Sequence, residues 1–225
     1  IEAGPWLLRD GDGGGKRVSA ATARAPWRPE DLPAAEAAMR LMGQRPLFRL
    51  GDGDAALGAA LEARGYAVID PTTAWLCPVA QLTDRPVPPM TVFPIEEPLA
   101  IQREIWAEGG IGPARLRVMD RAHAPKTTLL GRIADRPAAT AFVALHDGIA
   151  VLHALHIRPA QRRQGLGAWM MRAAAHWAHG HGAGWLAVLT TADNAAAGAL
   201  YAALRMTPAP GYHYRIAPAA TPEGP

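Results

Sequence analysis

The stretch from Ile149 to Ala178 constrains the fold of this chain most strongly. An apolar run, "IAVLHALHI", is followed by the turn "RPAQRRQGLG" and then by a helical segment. In that segment the apolar residues recur at i, i+3, i+4, i+7, i+8 and i+11, so they form one stripe along a helix. These residues are Leu166, Trp169, Met170, Ala173, Ala174 and Trp177. The pattern predicts a strand, a glycine-containing turn and a helix from about Gly165 to Ala178. The N-terminus of such a helix offers free backbone N–H groups and a positive dipole end to a phosphate.

Two common phosphate motifs do not account for this turn. The dinucleotide-binding fingerprint needs a third glycine three residues after Gly167, where Met170 stands. The P-loop needs Gly-Lys-Ser/Thr, which does not follow here. The turn is therefore either a phosphate loop of another kind or an ordinary strand-to-helix connection.

The rest of the chain alternates predicted strands and helices. In the first half we expect strands at 6–9, 16–23 and 46–50, helices at 29–42 and 54–64, and a left-handed helix end at Gly65. In the second half we expect two short helices before three successive strands, with turns at "DRP" (135–137) and "HDG" (146–148). A strand at 185–191, a helix at 194–206 and a closing strand at 211–217 follow.

A proline-rich segment divides the chain. "PVPPMTVFPIEEP" (86–98) contains five prolines and can be neither a continuous helix nor a central strand. We therefore predict an N-terminal lobe at 1–85, a linker at 86–98, a second domain at 99–217 and a tail at 218–225. Asp54–Tyr66 and Asn194–Met206 share a length and a pattern, which indicates that the two halves are related and that Leu61 stands where Tyr201 does.

Composition excludes several classes of function. Cys77 is the only cysteine, which rules out an internal disulfide framework and a multi-cysteine zinc site and favours a reducing cytoplasm. The net charge of +3 is scattered, so we expect no nucleic-acid partner. No window is apolar enough for a membrane span, and the first residues lack the basic and apolar regions of a signal peptide.

The strand–turn–helix segment resembles the acetyl-CoA-binding core of the GNAT superfamily of N-acetyltransferases. That family has an apolar strand ending in V/I-x-P, then Q/R-x-x-G-x-G/A at the start of a helix. The first motif is matched by Ile157, Pro159, Arg162, Gly165 and Gly167. A second family motif, N-x-x-A-x-x-L-Y, is matched by Asn194, Ala197, Leu200 and Tyr201. The resemblance covers roughly residues 90–217 and implies a mixed, mostly antiparallel twisted sheet flanked by helices, preceded by a degenerate lobe of the same family.

The resemblance also implies a binding mode for CoA. It places the pyrophosphate on the backbone amides of the loop Arg162, Arg163, Gln164, Gly165, Leu166 and Gly167. It places the pantetheine along Leu155, His156 and Ile157, with a backbone N–H near Ile157 polarising the thioester. Asn194 is expected to cap its helix and to touch the cofactor.

Tyr201 and His153 are the catalytic residues that the resemblance implies. A phenol with a pKa near ~10 stays protonated at neutral pH and can donate to a leaving thiolate, so Tyr201 is the expected general acid. His153 and His156 lie on the predicted strand, on opposite faces if side chains alternate. "LHAL" also resembles the arylalkylamine acetyltransferase branch, which has a second histidine where Val151 stands here. His153 is therefore the candidate base, and a packed strand histidine is the alternative.

Other features are expected to be structural. His176, His179 and His181 form no metal pattern, so we expect no metal. "DGDGGGKR" (10–17) could be a second anion loop, but a hairpin turn is the simpler interpretation. Arg205 stands where the family has a helix-ending glycine, and a left-handed residue there costs about 1 kcal/mol. Three tryptophans outside the motifs are candidates for an acceptor pocket: Trp27, Trp75 and Trp106.

The predicted function is direct, acetyl-CoA-dependent N-acetylation of a primary amine on a small molecule or peptide. The expected partners are then a CoA thioester and an amine acceptor. The sequence leaves open whether the protein forms a homodimer. Two alternatives also stay open: a non-catalytic acyl-CoA sensor, and an acetyltransferase that acts on a protein or on a tRNA-linked amine.

Overall fold

The computed structural model describes residues 1–219, and the part of the predicted tail beyond residue 219 lies outside them. The chain forms two compact units: Ile1–Thr73 together with the segment from Pro210, and Ala74–Ala209. The predicted linker at 86–98 lies within the second unit and contains a strand, Val92–Ile95. None of the helices in the described part of the chain is long and apolar enough to cross a membrane.

The smaller unit contains a three-stranded sheet and part of a larger one. β1 (Glu2–Ala3), β2 (Trp6–Leu7) and β3 (Thr22–Ala23) pair antiparallel in that order. β4 (Leu47–Leu50) pairs antiparallel with β11 (Thr207–Ile216), which is followed in the sheet by β5 (Ala67–Pro78). β5 and β11 have residues in both units.

Two helices of this unit pack against β4. α1 (Leu32–Leu41) begins after a 3-10 turn that carries Pro29, and α2 (Ala55–Ala63) ends at Gly65, which has the predicted left-handed conformation with φ 77°. Their apolar residues pack on Phe48 and Leu50 of β4. The strand predicted at 16–23 is largely wrong, because Lys16–Val18 forms a 3-10 turn inside the glycine-rich loop.

The larger unit is built on a mixed, mostly antiparallel sheet. β6 (Val92–Ile95), β7 (Lys126–Ile133), β8 (Arg136–His146) and β9 (Ile149–Ile157) pair antiparallel in sequence order. β9 then pairs in parallel with β10 (Trp185–Thr191), and β5 follows β10. Pro94 is tolerated in β6 because that strand is at the edge of the sheet.

Tight turns and helices complete this unit. Both hairpin turns have positive φ at two residues, Ala134–Asp135 and Asp147–Gly148, as tight hairpins require. One face of the sheet carries α3 (Val79–Leu82), α6 (Leu166–Gly180) and α7 (Ala195–Ala203), and the other carries α4 (Ala100–Glu108) and α5 (Pro113–Asp120). The predicted helices, strands and sheet type of this half are confirmed.

Candidate active site

A bulge in β9 determines how its two histidines are presented. His153 pairs with Phe142 and His156 pairs with Thr140, so β9 contains one more residue than β8 between these pairs. The extra residue is Ala154, whose φ is +52°. Phe142 and Thr140 share a face, so both histidines lie on the α4 face. The prediction that they point to opposite faces is wrong, because simple alternation does not hold across a bulge.

Trp106 of α4 stabilises this bulge through a hydrogen bond. Its indole Nε1–H donates to the carbonyl of Ala154 at 2.8 Å, and its side chain is fully buried. The ring of His156 lies against Gly109 at the end of the same helix, where an added Cβ would come within 2.5 Å of His156 Nδ1. Burial, followed by repulsion from Arg162, lowers the pKa of His156, which favours the neutral ring.

β9 and β10 separate beyond this point. Their parallel register runs from Ile149↔Trp185 to Leu152↔Val188, whereas β9 continues to Ile157. Arg158 donates its N–H to Ala138 on the β8 side, and backbone groups alternate sides along a strand. The backbone groups of Leu155 and Ile157 therefore point into the opening beside β10. An extended ligand can pair there as an additional strand.

The glycine turn lies at the same end of β9. Gly165 has a left-handed φ of 81° and begins α6, and Arg163 has φ 63°. The first helical bonds are donated by the N–H groups of Ala168 and Trp169 to the Gly165 carbonyl, so the N–H groups of the two preceding residues are left for a ligand.

Gly167 allows α6 to lie close to its neighbours. A Cβ at this position would come within 3.1 Å of Leu200 Cδ2 and 3.5 Å of Ile157 Cδ1. A larger residue would push the first turn of α6 away from β9 and α7.

Tyr201 of α7 lies at the far side of the same opening. It is 6 % exposed, and burial raises the pKa of its phenol. Its ring packs against Trp75 of β5, with 6.0 Å between the ring centroids. Asn194 caps α7 as predicted, because its side chain accepts a bond from the N–H of Ala197 at 3.1 Å.

These elements enclose a groove of about 650 Å³. Most of the predicted site residues line it: Leu155, His156, Ile157, Arg162, Arg163, Gly165, Gly167, Asn194 and Tyr201. Three alanines that the sequence motifs did not single out line it as well: Ala168, Ala196 and Ala199. The sequence could have indicated these alanines only through their helical spacing from the motif residues.

Three predicted residues lie elsewhere. Leu166 is buried in the core, and Gln164 folds back so that its Nε2 donates to Ala160 at 3.4 Å. His153 is not among the residues that line the groove; it precedes the bulge and pairs with Phe142.

A second cavity of about 340 Å³ opens on the α4 face. Phe142 and Trp106 form part of its lining, and three carboxylate residues, Glu96, Glu97 and Asp120, lie around it. Of the three candidate tryptophans, Trp106 lines this cavity, Trp75 contacts Tyr201, and Trp27 packs against Trp6 in the smaller unit.

Cys77 belongs to the larger unit, which corrects the expectation that it lies in the other lobe. It is 1 % exposed, and burial raises the pKa of its thiol to about 11. Such a thiol stays protonated and inaccessible at neutral pH. Among residues 1–219 no group of three or more metal-binding side chains is placed to hold an ion, and His176 and His181 contact backbone carbonyls.

Comparison with known proteins identifies a family for the larger unit of the chain. Residues 95–205 match the family model described as the acetyltransferase (GNAT) family. No curated protein sequence matches the chain.

Solved structures share the fold over nearly the whole chain. A GCN5-related N-acetyltransferase from Kribbella flavida is 21% identical, with a TM-score of 0.67 and coverage of 98% of this chain and 89% of that one. A conserved protein of unknown function from Staphylococcus epidermidis is 8% identical, with a TM-score of 0.70 and coverage of 96% and 91%. A tandem GNAT protein from the clavulanic acid biosynthesis pathway is 13% identical, with a TM-score of 0.63 and coverage of 90% and 74%.

Proposed function

Because residues 95–205 belong to the GNAT acetyltransferase family, we propose that this protein transfers an acetyl group from acetyl-CoA directly to a primary amine. The acceptor is a small molecule or a peptide, and both substrates are bound at once. The observation that carries the proposal is the opening between β9 and β10, which joins the glycine turn to Tyr201 in one groove.

The groove fits a CoA thioester along its length. The free N–H groups of Leu166 and Gly167, at the positive end of α6, suit the pyrophosphate. The outward backbone groups of Leu155 and Ile157 suit the amides of the pantetheine arm. The carbonyl of Ile157 already accepts a bond from Arg162 Nε at 3.0 Å, so its N–H is the group that can donate to the thioester oxygen.

Tyr201 is proposed as the general acid. During transfer, the amine nitrogen forms a bond to the thioester carbon, and the carbon–sulfur bond breaks. The sulfur then takes the phenolic proton of Tyr201. Because burial raises its pKa, this phenol remains a proton donor throughout the neutral and mildly alkaline range. Trp75 packs on its ring and limits its rotation.

His153 is proposed as the base that takes a proton from the amine. The opening between β9 and β10 is a gap in the sheet, so it can be reached from both faces. In this proposal CoA occupies the α6 and α7 face and the amine approaches from the α4 face, where His153 lies beside Phe142. The lining of the cavity on that face includes Phe142, the strand partner of His153, and it combines three carboxylate residues with two cationic ones, Arg103 and Lys126.

Direct transfer is favoured over an acyl-cysteine route. Cys77 is the only cysteine, and it is buried with a raised thiol pKa. A protonated, inaccessible thiol is a poor nucleophile.

The smaller unit is proposed to be a degenerate lobe of the same family. Its α2 and the α7 helix of the larger unit each contain nine residues and each follow a strand. The position of Tyr201 is taken by Leu61, which is fully buried. This lobe therefore lacks the proposed acid, and we assign it a structural or substrate-shaping role.

Substitution of Tyr201 tests the catalytic proposal. We expect Tyr201→Phe to lower kcat by about 10²-fold or more, because general acid catalysis contributes on that scale. The dissociation constant of CoA should stay within about twofold, since the phenol acts on the leaving group. Tyr214→Phe is the matched control, because Tyr214 is also buried but lies outside the groove.

A ligand screen separates this proposal from its alternatives. Acetyl-CoA should raise the melting temperature more than NAD(P) does. Stabilisation by NAD(P) alone would contradict the proposed cofactor. CoA binding without turnover of any amine in a broad panel would instead indicate a sensor. Acetylation that weakens steeply with salt would indicate a charged macromolecular acceptor.

A further inference from the structure

One face of the sheet in the smaller unit is rich in arginine. Phe48 and Leu50 of β4 point into the core that α1 and α2 cover, so Arg49 between them points to the opposite face. On that face Arg49 is the cross-strand neighbour of Tyr214. Its guanidinium lies 5.5 Å from the ring centroid of Tyr212.

Arg9 joins Arg49 on this face. Ala21 pairs in parallel with Phe48, and Arg49 donates its N–H to the Ala21 carbonyl. Thr22, the next residue, therefore has its side chain on the same face as Arg49 and beside it. The Arg9 guanidinium donates to Thr22 Oγ1 at 3.1 Å, which places the two arginines next to each other.

The glycine-rich loop supplies a third arginine. Arg17 Nε donates to the Tyr212 hydroxyl at 2.8 Å, and its guanidinium carbon lies 6.0 Å from the centroid of that ring. The loop is tied down through Lys16, which pairs with Asp70 at 2.6 Å. The segment "DGDGGGKR" thus brings one more cation to the face on which Arg9 and Arg49 lie.

Within the described residues, Arg9 and Arg49 differ from some other arginines of this unit in their lack of a carboxylate partner. Elsewhere in this unit Arg64 pairs with Glu36, and Arg215 pairs with Glu62. Among residues 1–219, no ion pair joins Arg9 or Arg49 to an acidic side chain. Burial, followed by repulsion from Arg49 and Arg24, lowers the pKa of Arg9, and the repulsion is consistent with Arg49 lying nearby.

We propose that Arg9 and Arg49, together with Tyr212, form a binding site for the phosphoryl group of a small molecule. Two adjacent guanidiniums match the nearly two negative charges that a phosphoryl group carries at neutral pH. Each guanidinium can offer two parallel N–H donors to its oxygens. Tyr212 forms an aromatic wall beside the site, and Arg17 stands at its edge. The proposal does not depend on the transferase activity of the larger unit.

Calorimetric titration of the full chain with inorganic pyrophosphate tests this site. The titration is run without CoA, because the phosphoryl groups of CoA would compete for the arginine site, and the arginine variants assign the measured binding to one of the two candidate sites. We expect Arg9→Gln and Arg49→Gln each to weaken pyrophosphate binding at least tenfold. Arg49→Lys should also weaken binding, because lysine keeps the charge but loses the paired donors. Arg136→Gln, which removes an exposed arginine of the larger unit, should leave the affinity unchanged.

Two results would overturn the proposal. One is a pyrophosphate affinity that is the same in Arg49→Gln as in the wild type. The other is tight, Arg49-dependent binding of a single-stranded oligonucleotide without binding of pyrophosphate or phosphate, which would make the face a nucleic-acid surface. Circular dichroism checks the fold of each variant. Arg49→Gln and Arg49→Lys carry the test if Arg9→Gln does not fold, because the Arg9 side chain also holds Thr22.

Discussion

Gly109→Ala should destabilise the protein through one contact with His156. Gly109 has φ −87°, which alanine adopts without strain. The new Cβ would lie 2.5 Å from Nδ1, 2.7 Å from Cγ and 2.9 Å from Cε1 of the His156 ring. The ring must therefore move, and it is held on β9 at the edge of the proposed CoA groove.

The magnitude follows from two opposing effects. Overpacking of this kind costs about 1–3 kcal/mol. Replacing glycine with alanine also restricts the conformations of the unfolded chain, which by itself raises the free energy of unfolding by about 0.4–1 kcal/mol. We expect a net loss of about 1–2 kcal/mol in the free energy of unfolding. Gly112→Ala is the matched control, because Gly112 has φ −88° and nothing lies within 4 Å of its added Cβ. This control should be neutral or slightly stabilising.

Urea denaturation of five proteins measures the effect: wild type, Gly109→Ala, Gly112→Ala, His156→Ala and the Gly109→Ala/His156→Ala double variant. In the His156→Ala background the clash is gone, so Gly109→Ala should no longer destabilise. The affinity for CoA, measured on the same proteins, should fall in Gly109→Ala and stay unchanged in Gly112→Ala. Equal stability of the two glycine variants, or the same loss with and without the His156 ring, would refute this reasoning.

Three further outcomes are expected. Arg205→Gly should raise the free energy of unfolding by about 0.5–1 kcal/mol in thermal melts, because Arg205 has φ +57° at the end of α7, where glycine carries no steric penalty. Because burial and Arg162 lower the pKa of His156, the unfolded chain binds that proton more readily than the folded protein. Stability should therefore fall as the pH drops below about 6.5, and His156→Gln should show a smaller fall. Gly167→Ala should weaken CoA binding in calorimetry, since its Cβ would press on Leu200 Cδ2 at 3.1 Å; an unchanged affinity would contradict the close approach of α6.

Much of the fold is encoded in local patterns. The stripe from Leu166 to Trp177 predicted α6 because a helix repeats every 3.6 residues whatever surrounds it. "HDG" predicted the β8–β9 turn because Asp147 and Gly148 tolerate positive φ. The 3-10 turn at Lys16–Val18 was missed, because the apolar residues after the glycine-rich loop also suit a strand.

The residues that line the groove were predicted where they belong to sequence motifs, and the features that depend on strand register were not predicted. The glycine turn, Asn194 and Tyr201 carry recognisable spacing, and the structure brings them to one groove. The bulge at Ala154 has no sequence signal, since an alanine with positive φ is stabilised only by its partners, including the Trp106 bond. The arginine face of the smaller unit was also missed, because Arg9 and Arg49 are far apart in the chain.

The sequence by itself therefore determined most of the elements of the larger unit, the glycine turn and the spacing that brings Asn194 and Tyr201 onto one helix. These features rest on backbone propensities and on contacts within a few residues. The tertiary structure alone decided that β9 and β10 separate, that both strand histidines share the α4 face, and that Cys77 is buried in the larger unit. These features depend on strand register and on long-range packing, which no local pattern of residues specifies.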